Sequence, residues 1–481
     1  MVKRVRIGLV GVTAAALLAA VAAGAQQGPR VTKQYDDGSV YEGTFEAGRQ
    51  HGTGTYRLPN GYEYSGDWQD GEMTGEGRAV YPDGAVYEGR FLAGEPDGTG
   101  RIALPDGTTY VGDWVAGAMT GQGVMTYPGG IRYTGGFRDG LRHGEGVMEG
   151  PDGYRYAGGW VDGARSGTGQ ITYPDGAVYR GMMAADARNG TGTLTLPDGL
   201  VYQGEWRDGR MHGRGRLTEP GGTVYTGDFV DGQRQGAGRI AYASGDVYAG
   251  GFQADARHGR GVFLGADGFS YDGDWAEDRI AGTGRMTYAD GSTYEGGFRD
   301  GLPHGTGTIT YADGASYAGA WVDGTIAGEG RADYANGFVY EGAFRDGRQH
   351  GEGVMTGPDG YRYAGAWRDG ERHGEGSATY TDGSTYTGSF VAGQREGAGV
   401  LVAADGFRYE GGWKAGEMDG TGIATYPNGD VYEGGFTEGQ RDGPGVMRYA
   451  TGAVYDGLWR NGQRAGPVAE DVGAEADGAT Q

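Results

Sequence analysis

A 23-residue period runs through almost the whole chain and restricts its fold more than any other sequence feature. Tyrosine recurs nineteen times at this spacing, from Tyr41 to Tyr455, without an insertion or a deletion. With each tyrosine counted as position 0, glycine occupies positions −3, +2 and +11 in every copy and position +13 in every copy but the last. Position +4 is phenylalanine or tryptophan everywhere except at Met183. Such regularity predicts a repeat protein whose units pack on their neighbours.

The residues around each tyrosine predict a β-hairpin. Positions 0, +2 and +4 share one face of a strand because side chains alternate with period two, and positions −1 and +1 face the other way. In most copies positions −4 and −3 form Asp-Gly or Asn-Gly pairs that predict a two-residue hairpin turn. We interpret its glycines as structural, with these four as the first examples: Gly38, Gly61, Gly84 and Gly107.

The rest of each copy completes the predicted fold. We interpret positions +6 to +13 as a glycine-punctuated connection to the next hairpin, and the glycine at +2 as a gap for a ring from a neighbouring hairpin. The predicted fold class is all-β: an elongated, single-sheet ribbon of about nineteen successive antiparallel hairpins of 23 residues.

Composition excludes several classes of protein. Glycine supplies 108 of 481 residues, but there is no three-residue period and tyrosine is abundant at 34, which favours order over a collagen-like or disordered chain. Cysteine is absent, which excludes disulfides, thiolate metal sites and lipid-modified cysteine. The net charge of −23 repels phosphate backbones, and we expect no nucleic-acid partner.

Residues 1–25 have the pattern of a secretory signal peptide. Three basic residues precede an apolar stretch from Ile7 to Ala23, and Ala23-Gly24-Ala25 provides small residues for cleavage after Ala25. We therefore expect a periplasmic or secreted protein; the competing interpretation is an uncleaved segment that anchors the chain to the inner membrane. Residues 26–34 would form a linker, residues 35–466 the repeat array, and residues 467–481 an acidic, disordered tail.

Side chains that could bind a metal or catalyse a reaction recur at the same positions of the repeat, and they do not form one distinct site. All histidines occupy position +10. They could form a row of metal ligands along the sheet, or they could be polar loop residues that this position tolerates. The histidines are His51, His143, His212, His258, His304, His350 and His373. Equivalent atoms of adjacent hairpins should lie ~9–10 Å apart, whereas zinc needs ligands at about 2 Å, which favours the loop residue. Asp186, Asp255 and Asp278 replace the glycine at +7, and we interpret these breaks as local bends. No enzymatic activity, metal or cofactor is predicted.

The aromatic face is the candidate interaction surface. Rings at regular intervals could stack on a ligand, or they could pack on one another within the sheet. The candidate residues are the tyrosine and tryptophan pairs: Tyr64, Trp68, Tyr110, Trp114, Tyr156, Trp160, Tyr202, Trp206, Tyr271, Trp275, Tyr317, Trp321, Tyr363, Trp367, Tyr409, Trp413, Tyr455 and Trp459. The open edges of the terminal hairpins could also pair two copies into a homodimer.

The unit Y-x-G-x-[WF]-x-x-G-x-x-x-G-x-G, preceded by an Asp-Gly or Asn-Gly turn, closely resembles the MORN (membrane occupation and recognition nexus) repeat. The resemblance covers residues 35 to about 466. It implies successive β-hairpins in a twisted sheet, with enzymatic activity confined to separate domains in the family's enzymes. We therefore predict a non-catalytic, periplasmic or secreted scaffold that binds proteins. The alternative is a membrane-associated module whose aromatic face binds an envelope glycan or a membrane lipid.

Overall fold

A computed structural model describes residues 28–467, which consist almost entirely of antiparallel β-structure. The predicted signal peptide at 1–25 and residues 468–481 of the predicted tail lie outside the described residues. The chain divides into two compact units, residues 1–210 and 211–481.

In both units each copy contributes a seven-residue short strand, positions −1 to +5, and then a nine-residue long strand, positions +8 to +16. From β2 onward, even-numbered strands are short and odd-numbered strands are long. The strands of the first unit are β1 (Val31–Gln34), β2 (Val40–Glu46), β3 (Arg49–Arg57), β4 (Glu63–Gln69), β5 (Glu72–Val80), β6 (Val86–Leu92), β7 (Glu95–Ala103), β8 (Thr109–Val115), β9 (Ala118–Thr126), β10 (Arg132–Arg138), β11 (Leu141–Glu149), β12 (Arg155–Val161), β13 (Ala164–Thr172), β14 (Val178–Ala184), β15 (Ala187–Thr195) and β16 (Val201–Arg207).

The second unit repeats the same two-strand pattern. Its strands are β17 (Arg210–Thr218), β18 (Val224–Val230), β19 (Gln233–Ala241), β20 (Val247–Gln253), β21 (Ala256–Leu264), β22 (Ser270–Ala276), β23 (Arg279–Thr287), β24 (Thr293–Arg299), β25 (Leu302–Thr310), β26 (Ser316–Val322), β27 (Thr325–Asp333), β28 (Val339–Arg345), β29 (Arg348–Thr356), β30 (Arg362–Arg368), β31 (Glu371–Thr379), β32 (Thr385–Val391), β33 (Gln394–Val402), β34 (Arg408–Lys414), β35 (Glu417–Thr425), β36 (Val431–Thr437), β37 (Gln440–Arg448), β38 (Val454–Arg460) and β39 (Gln463–Gly466). Single 3₁₀ turns occur at Pro128–Gly130 and Pro358–Gly360.

Strand order follows chain order within each unit. Each strand pairs antiparallel with the strand before it and the strand after it, as β3 does with β2 and β4 and as β19 does with β18 and β20. Within the described residues β1 pairs only with β2, and β39 only with β38. The predicted all-β class and succession of hairpins are confirmed. The sheet also includes Val31–Gln34, in the segment assigned to the linker.

The two turns of each copy differ from the sequence prediction. At positions −5 to −3 the loop has three residues: the carbonyl of Tyr35 accepts the N–H of Gly38, and the N–H of Tyr35 donates to the carbonyl of Ser39. In the first copy only the glycine is left-handed there, at φ 83° for Gly38, whereas Gly129 and Asp359 at position −4 of two other copies also have positive φ. The two-residue turn lies instead at +6 and +7, where Ala47 and Gly48 both have positive φ. This pattern matches the primed turn that suits the twist of a hairpin, so the stretch interpreted as a connection contains a turn and a strand.

The core of each unit is a row of interlocked rings on one face of the sheet. Tyr41 is completely buried, with Phe45 of its own copy and Trp68 of the next copy both 5.1 Å from its ring centre in edge-on contact. In the second unit Tyr294 packs in the same way between Phe298 and Trp321. Edge-on contacts are favourable for aromatic quadrupoles. Each tyrosine therefore links two successive copies.

The glycines at +2 and +13 make room for the tyrosine of their own copy. A Cβ atom added to Gly43 or Gly54 would lie 2.4 Å or 2.3 Å from the hydroxyl oxygen of Tyr41. The tyrosine thus lies flat on the backbone of two paired strands, and its hydroxyl donates to the carbonyl of Thr44. The prediction that a neighbouring hairpin's ring fills the gap at +2 is therefore wrong, because the neighbouring ring packs against the tyrosine rather than the glycine.

Tryptophan adds a hydrogen bond between copies. The indole N–H of Trp68 donates to the carbonyl of Gly54 at 3.2 Å, and Trp321 makes the same bond to Gly307. The acceptor is always the glycine at +13 of the preceding copy. Tryptophan at +4 therefore provides a polar connection that phenylalanine cannot provide.

A methyl group under a core tyrosine should destabilise the fold. In Gly238→Ala the new Cβ would meet the ring of Tyr225 at 2.5 Å, and overpacking of this kind typically costs about 1–3 kcal/mol. Gly221→Ala is the matched control, because nothing lies within 4 Å of its added Cβ. Urea unfolding of both variants checks this expectation, and equal midpoints would contradict the tyrosine-on-glycine packing.

Alkaline pH should unfold the protein cooperatively. Burial raises the pKa of the core tyrosines, to about 12 at Tyr41, Tyr87 and Tyr110. Because an unfolded tyrosine ionises near pH ~10, stability present below that pH should be lost as the pH rises from ~10 to about 12. Tyrosinate absorbance and circular dichroism recorded together should change in one step. Gradual ionisation of the core tyrosines near pH ~10 with the β-signal unchanged would contradict it.

Candidate functional site

The predicted aromatic face is the interior of each sheet and not an exposed surface. The nine tryptophans are 2–6% exposed, and the paired tyrosines are at most 1% exposed, apart from the half-buried Tyr455 in the last copy. Their rings already contact one another edge to edge, so no flat aromatic face remains for stacking on a ligand. The structure thus supports the second of the two interpretations, in which the rings pack on one another.

Arginine side chains cover several of these rings at position +9. The guanidinium of Arg395 lies 4.1 Å from the ring centre of Trp413 and donates to the carbonyl of Gly416 at 2.7 Å. Arg441 makes the same pair of contacts with Trp459 and Gly462. A cation over an indole ring is attracted by the ring quadrupole. These arginines therefore stabilise the contact between neighbouring copies. This role was not predicted from the sequence, because the residues were considered one copy at a time.

The three aspartates that replace glycine at +7 belong to the same join. Asp186, Asp255 and Asp278 adopt left-handed φ of 67°, 70° and 65°. The carboxylates of Asp186 and Asp278 lie 2.9 Å and 3.0 Å from the Nε atoms of Arg165 and Arg257 in the preceding copies.

Strand pairing around these aspartates keeps the register of other copies, as Gly181 opposite Gly192 shows. Their pairing register is thus unchanged, and the interpretation of these positions as local bends stays a prediction. An arginine at +9 and an aspartate at the next +7 form an ion pair across two turns.

The histidines at +10 lie beside the turn of the next copy. Nδ1 of His143 is 3.5 Å from the backbone N–H of Asp162, and Nδ1 of His304 is 3.3 Å from that of Asp323. Other copies use a different acceptor at +10: the carboxylate of Glu396 accepts from the N–H of Ala415 at 2.9 Å. An acceptor at position +10 can thus hold the next turn, although alanine occupies this position at Ala281 and Ala327.

Arginines at +5 complete some of these clusters. Arg138 and Arg299 contact Asp162 and Asp323 at 2.7 Å and 2.6 Å, and these hydrogen bonds hold the pKa of both carboxyl groups below the ordinary range. Among residues 28–467, no group of three or more acidic and histidine side chains is placed to hold a metal ion.

The surface that remains available is the opposite face of the sheet. We call it the polar face and define it by the side chains at positions −1, +1, +3, +12, +14 and +16. In the first unit its centre carries a neutral row on successive strands: Val111, Val124, Thr134, Val147 and Ala157. In the second unit the same face carries arginines and glutamates at exposed positions. This face varies from copy to copy, whereas the ring face does not.

Comparison with family models decides the family. The MORN repeat model matches nineteen consecutive segments: 41–61, 64–86, 87–109, 110–132, 133–153, 156–178, 179–201, 202–224, 225–247, 248–269, 271–293, 294–316, 317–339, 340–360, 363–385, 386–408, 409–431, 432–454 and 455–467. The chain is a MORN-repeat protein. MORN repeats of this kind form a scaffold-type fold, and the predicted resemblance is confirmed.

Solved structures align with this MORN-repeat protein only at low sequence identity and low TM-score. The TCP domain of Drosophila melanogaster SAS-4 (dCPAP), solved with a proline-rich motif of Ana2 (dSTIL), aligns at 13% identity and a TM-score of 0.18 over 44% of this chain and 96% of that one. Virginiamycin B lyase from Staphylococcus aureus aligns at 11% identity and a TM-score of 0.11 over 62% and 96%. No curated protein matches the chain by sequence. Nowhere in residues 28–467 is a helix long and apolar enough to cross a bilayer.

Replacing a core tryptophan should weaken folding and leave surface binding intact. Trp321→Phe removes the indole hydrogen bond to Gly307, and such bonds contribute about 1 kcal/mol. Chemical unfolding should show that loss, while sedimentation with peptidoglycan or anionic vesicles should match the unaltered protein. Unchanged stability together with lost binding would restore the tryptophans as a ligand-binding face.

Proposed function

We propose that this MORN-repeat protein is exported and acts as a non-catalytic scaffold that binds other proteins through its polar face. The observation that carries the proposal is that the two faces of the sheet differ in exposure. The side chains of the ring face are buried in contacts within and between copies, as at Tyr41, Trp68 and their glycines. The polar face keeps a constant backbone while its side chains vary, which suits the recognition of different partners along one sheet.

The N-terminal pattern supports export. A basic start, the apolar stretch from Ile7 to Ala23 and the small residues before Gln26 fit a signal peptide cut after Ala25. Anchoring by an uncleaved segment is the competing outcome. The two differ in the mature N-terminus, which Gln26 would provide after cleavage.

Binding of an envelope glycan or a lipid through the ring face has little geometric support, because the tryptophans are buried. A half-buried groove remains on that side of the first unit, between Tyr62, Trp68, Met73 and Tyr81. The polar face is larger and more varied, and we favour it for that reason. Among residues 28–467, the outer edges of β1 and β39 have no strand partner and offer a further means of self-association, by strand addition.

Export should depend on the first 25 residues. We expect a C-terminal fusion to alkaline phosphatase, which matures only outside the cytoplasm, to be active with the full chain and inactive without residues 1–25. N-terminal sequencing should find Gln26 first. Activity that persists without residues 1–25 would contradict export by this segment, and a mature chain that retains them would favour the anchor.

Partner contacts should concentrate on the polar face. A photoreactive amino acid at Val147, on the polar face, should give defined protein adducts in intact cells. The same residue at Asp198, in an exposed turn at the sheet margin, is the matched control. Equal adducts from both positions, or adducts only from the turn, would contradict binding through the polar face.

A further inference from the structure

The last copy of the array ends in a groove on the ring face of the second unit. The side chains of Tyr426, Arg441, Tyr449 and Arg464 line this groove, together with the buried Trp459. In every earlier copy the next hairpin continues the sheet at the equivalent place. At this end the described residues, which stop at 467, provide no further hairpin, and the groove stays open.

Arg464 lacks the acceptor that other arginines at position +9 use. Within residues 28–467, the eight other arginines at +9 are half-buried, and each donates to the backbone carbonyl at position +7 of the next copy: Arg142, Arg165, Arg188, Arg234, Arg257, Arg372, Arg395 and Arg441. Arg464 is exposed and donates to the hydroxyl of Tyr449. Its guanidinium therefore keeps donors for an acceptor that the sheet does not supply.

Tyr455 is also incompletely covered. The eighteen preceding tyrosines at position 0 are at most 1% exposed. The next copy supplies part of their cover, as the ring of Trp459 does for Tyr432. Tyr455 is half-buried, and the guanidinium of Arg464 lies 4.6 Å from its ring centre. The last copy thus exposes a ring and a guanidinium group that the next hairpin covers elsewhere.

The chain cannot continue β39 in the usual way. At position +13 the repeat needs a glycine beneath its tyrosine, since a Cβ atom on Gly445 would lie 2.3 Å from the hydroxyl oxygen of Tyr432. The last copy has Val468 at this position. A valine there would collide with the ring of Tyr455, which accounts for the end of β39 at Gly466. We therefore expect the chain to leave the sheet after this glycine.

The charges of the groove and of the residues that follow it are complementary. Residues 468–481, which lie outside the described residues, carry four carboxylates and neither lysine nor arginine: Glu470, Asp471, Glu475 and Asp477. The groove has the guanidinium groups of Arg441 and Arg464 and one lining carboxylate, Asp430, which already accepts a backbone N–H at 2.9 Å. Asp442, next to Arg441 in the chain, accepts a backbone N–H of the following turn at 3.2 Å. The groove therefore remains suited to an acidic segment after its own carboxylates are counted.

We propose that residues 468–481, which we call the tail, dock in this groove and cap the array. The carboxylate of Glu470 or Asp471 accepts hydrogen bonds from Arg464 and replaces the carbonyl that a next copy would supply. Charge-assisted hydrogen bonds of this kind are among the stronger ones. Val472 covers the exposed side of Tyr455, in place of the next ring.

The groove lies within reach of the tail. The backbone nitrogen of Gly466 is 3.4 Å from the hydroxyl oxygen of Tyr455. Asp471 follows Gly466 by five residues, which span up to ~17 Å when extended. A cap of this kind protects the end of a repeat array, where a sheet edge is otherwise open. The proposal does not depend on export or on binding through the polar face.

A second copy of the chain is a less suitable occupant. In β1, Val31 lies opposite Gly43, as the +13 residue Gly54 lies opposite Gly66. A second copy added in the register of the repeat would therefore bring Val31 beneath Tyr455, where a Cβ atom does not fit. The tail is also tethered beside the groove, which gives it an effective concentration of about millimolar.

A spin label on the tail tests the docking. The chain has no cysteine, so Ala474→Cys accepts a single nitroxide label. At low ionic strength its electron paramagnetic resonance spectrum should be that of an immobilised label, and high salt should increase the free fraction. Arg464→Glu should lower the ratio of docked to free tail about tenfold, because repulsion replaces a charge-assisted hydrogen bond.

Arg460→Glu is the matched control. It makes the same charge change at an exposed arginine of the same copy, at position +5, on the side of the sheet opposite to the rings. The ratio of docked to free tail should then equal that of the unaltered protein. Circular dichroism checks that each variant is folded.

Charge exchange identifies the pairing. Adding Glu470→Arg and Asp471→Arg to Arg464→Glu should return the ratio of docked to free tail to within about threefold of the unaltered value. The docked fraction should also be the same at ~1 µM and ~100 µM protein, because a contact within one chain does not depend on concentration.

Four results would overturn the proposal. The label could be as mobile in the unaltered protein as in a labelled peptide of residues 467–481, or Arg464→Glu and Arg460→Glu could have equal effects. The charge exchange could fail to restore docking. The immobilised fraction could rise with protein concentration, which would assign the groove to a second copy.

Discussion

A tyrosine ring lying flat on two paired glycines is the contact on which the rest of this structure depends. The ring needs a backbone without side chains beneath it, and the glycines at +2 and +13 provide that surface in adjacent strands, as under Tyr41. The tyrosine hydroxyl then reaches the carbonyl at +3, so the polar end of a buried ring has a partner. A thin sheet thereby gains a buried layer without a second sheet or a helix packed against it.

Contacts between neighbouring copies extend this unit along the chain. The ring at +4 packs on the preceding tyrosine, the tryptophan N–H reaches the preceding glycine, and the residues at +9 and +10 hold the following turn. Every one of these contacts joins nearest neighbours. Stability should then be nearly a sum of unit terms and interface terms, which allows many copies to be added without redesign. Because these contacts involve only the ring face and the turns, the side chains of the polar face can vary without loss of stability. This freedom is the physical basis for a scaffold role.

The sequence indicated the period, the hairpins and the faces, because those follow from single-copy spacing. It misplaced the two-residue turn because both turns of a copy contain an Asp-Gly or Ala-Gly pair, and local sequence does not show which loop has three residues. Proline at −5, as in Pro82, was the available signal, since it favours the first central position of such a turn. Arg395, Asp278 and His304 contact residues about one repeat away in the neighbouring copy. The pattern within a single copy could not reveal these contacts.

Excision of whole copies tests the central account most directly. Removing residues 294–316, one complete period, should leave a folded β-protein with a slightly lower unfolding free energy, because every tyrosine still meets glycines and a neighbouring ring. Removing 22 residues, 297–318, instead leaves Tyr294 and Trp321 five positions apart within one strand, so that their rings face opposite sides of the sheet. Urea unfolding should show a large loss for the shorter excision and a small one for the longer. Equal effects would contradict a fold built from interlocking 23-residue units.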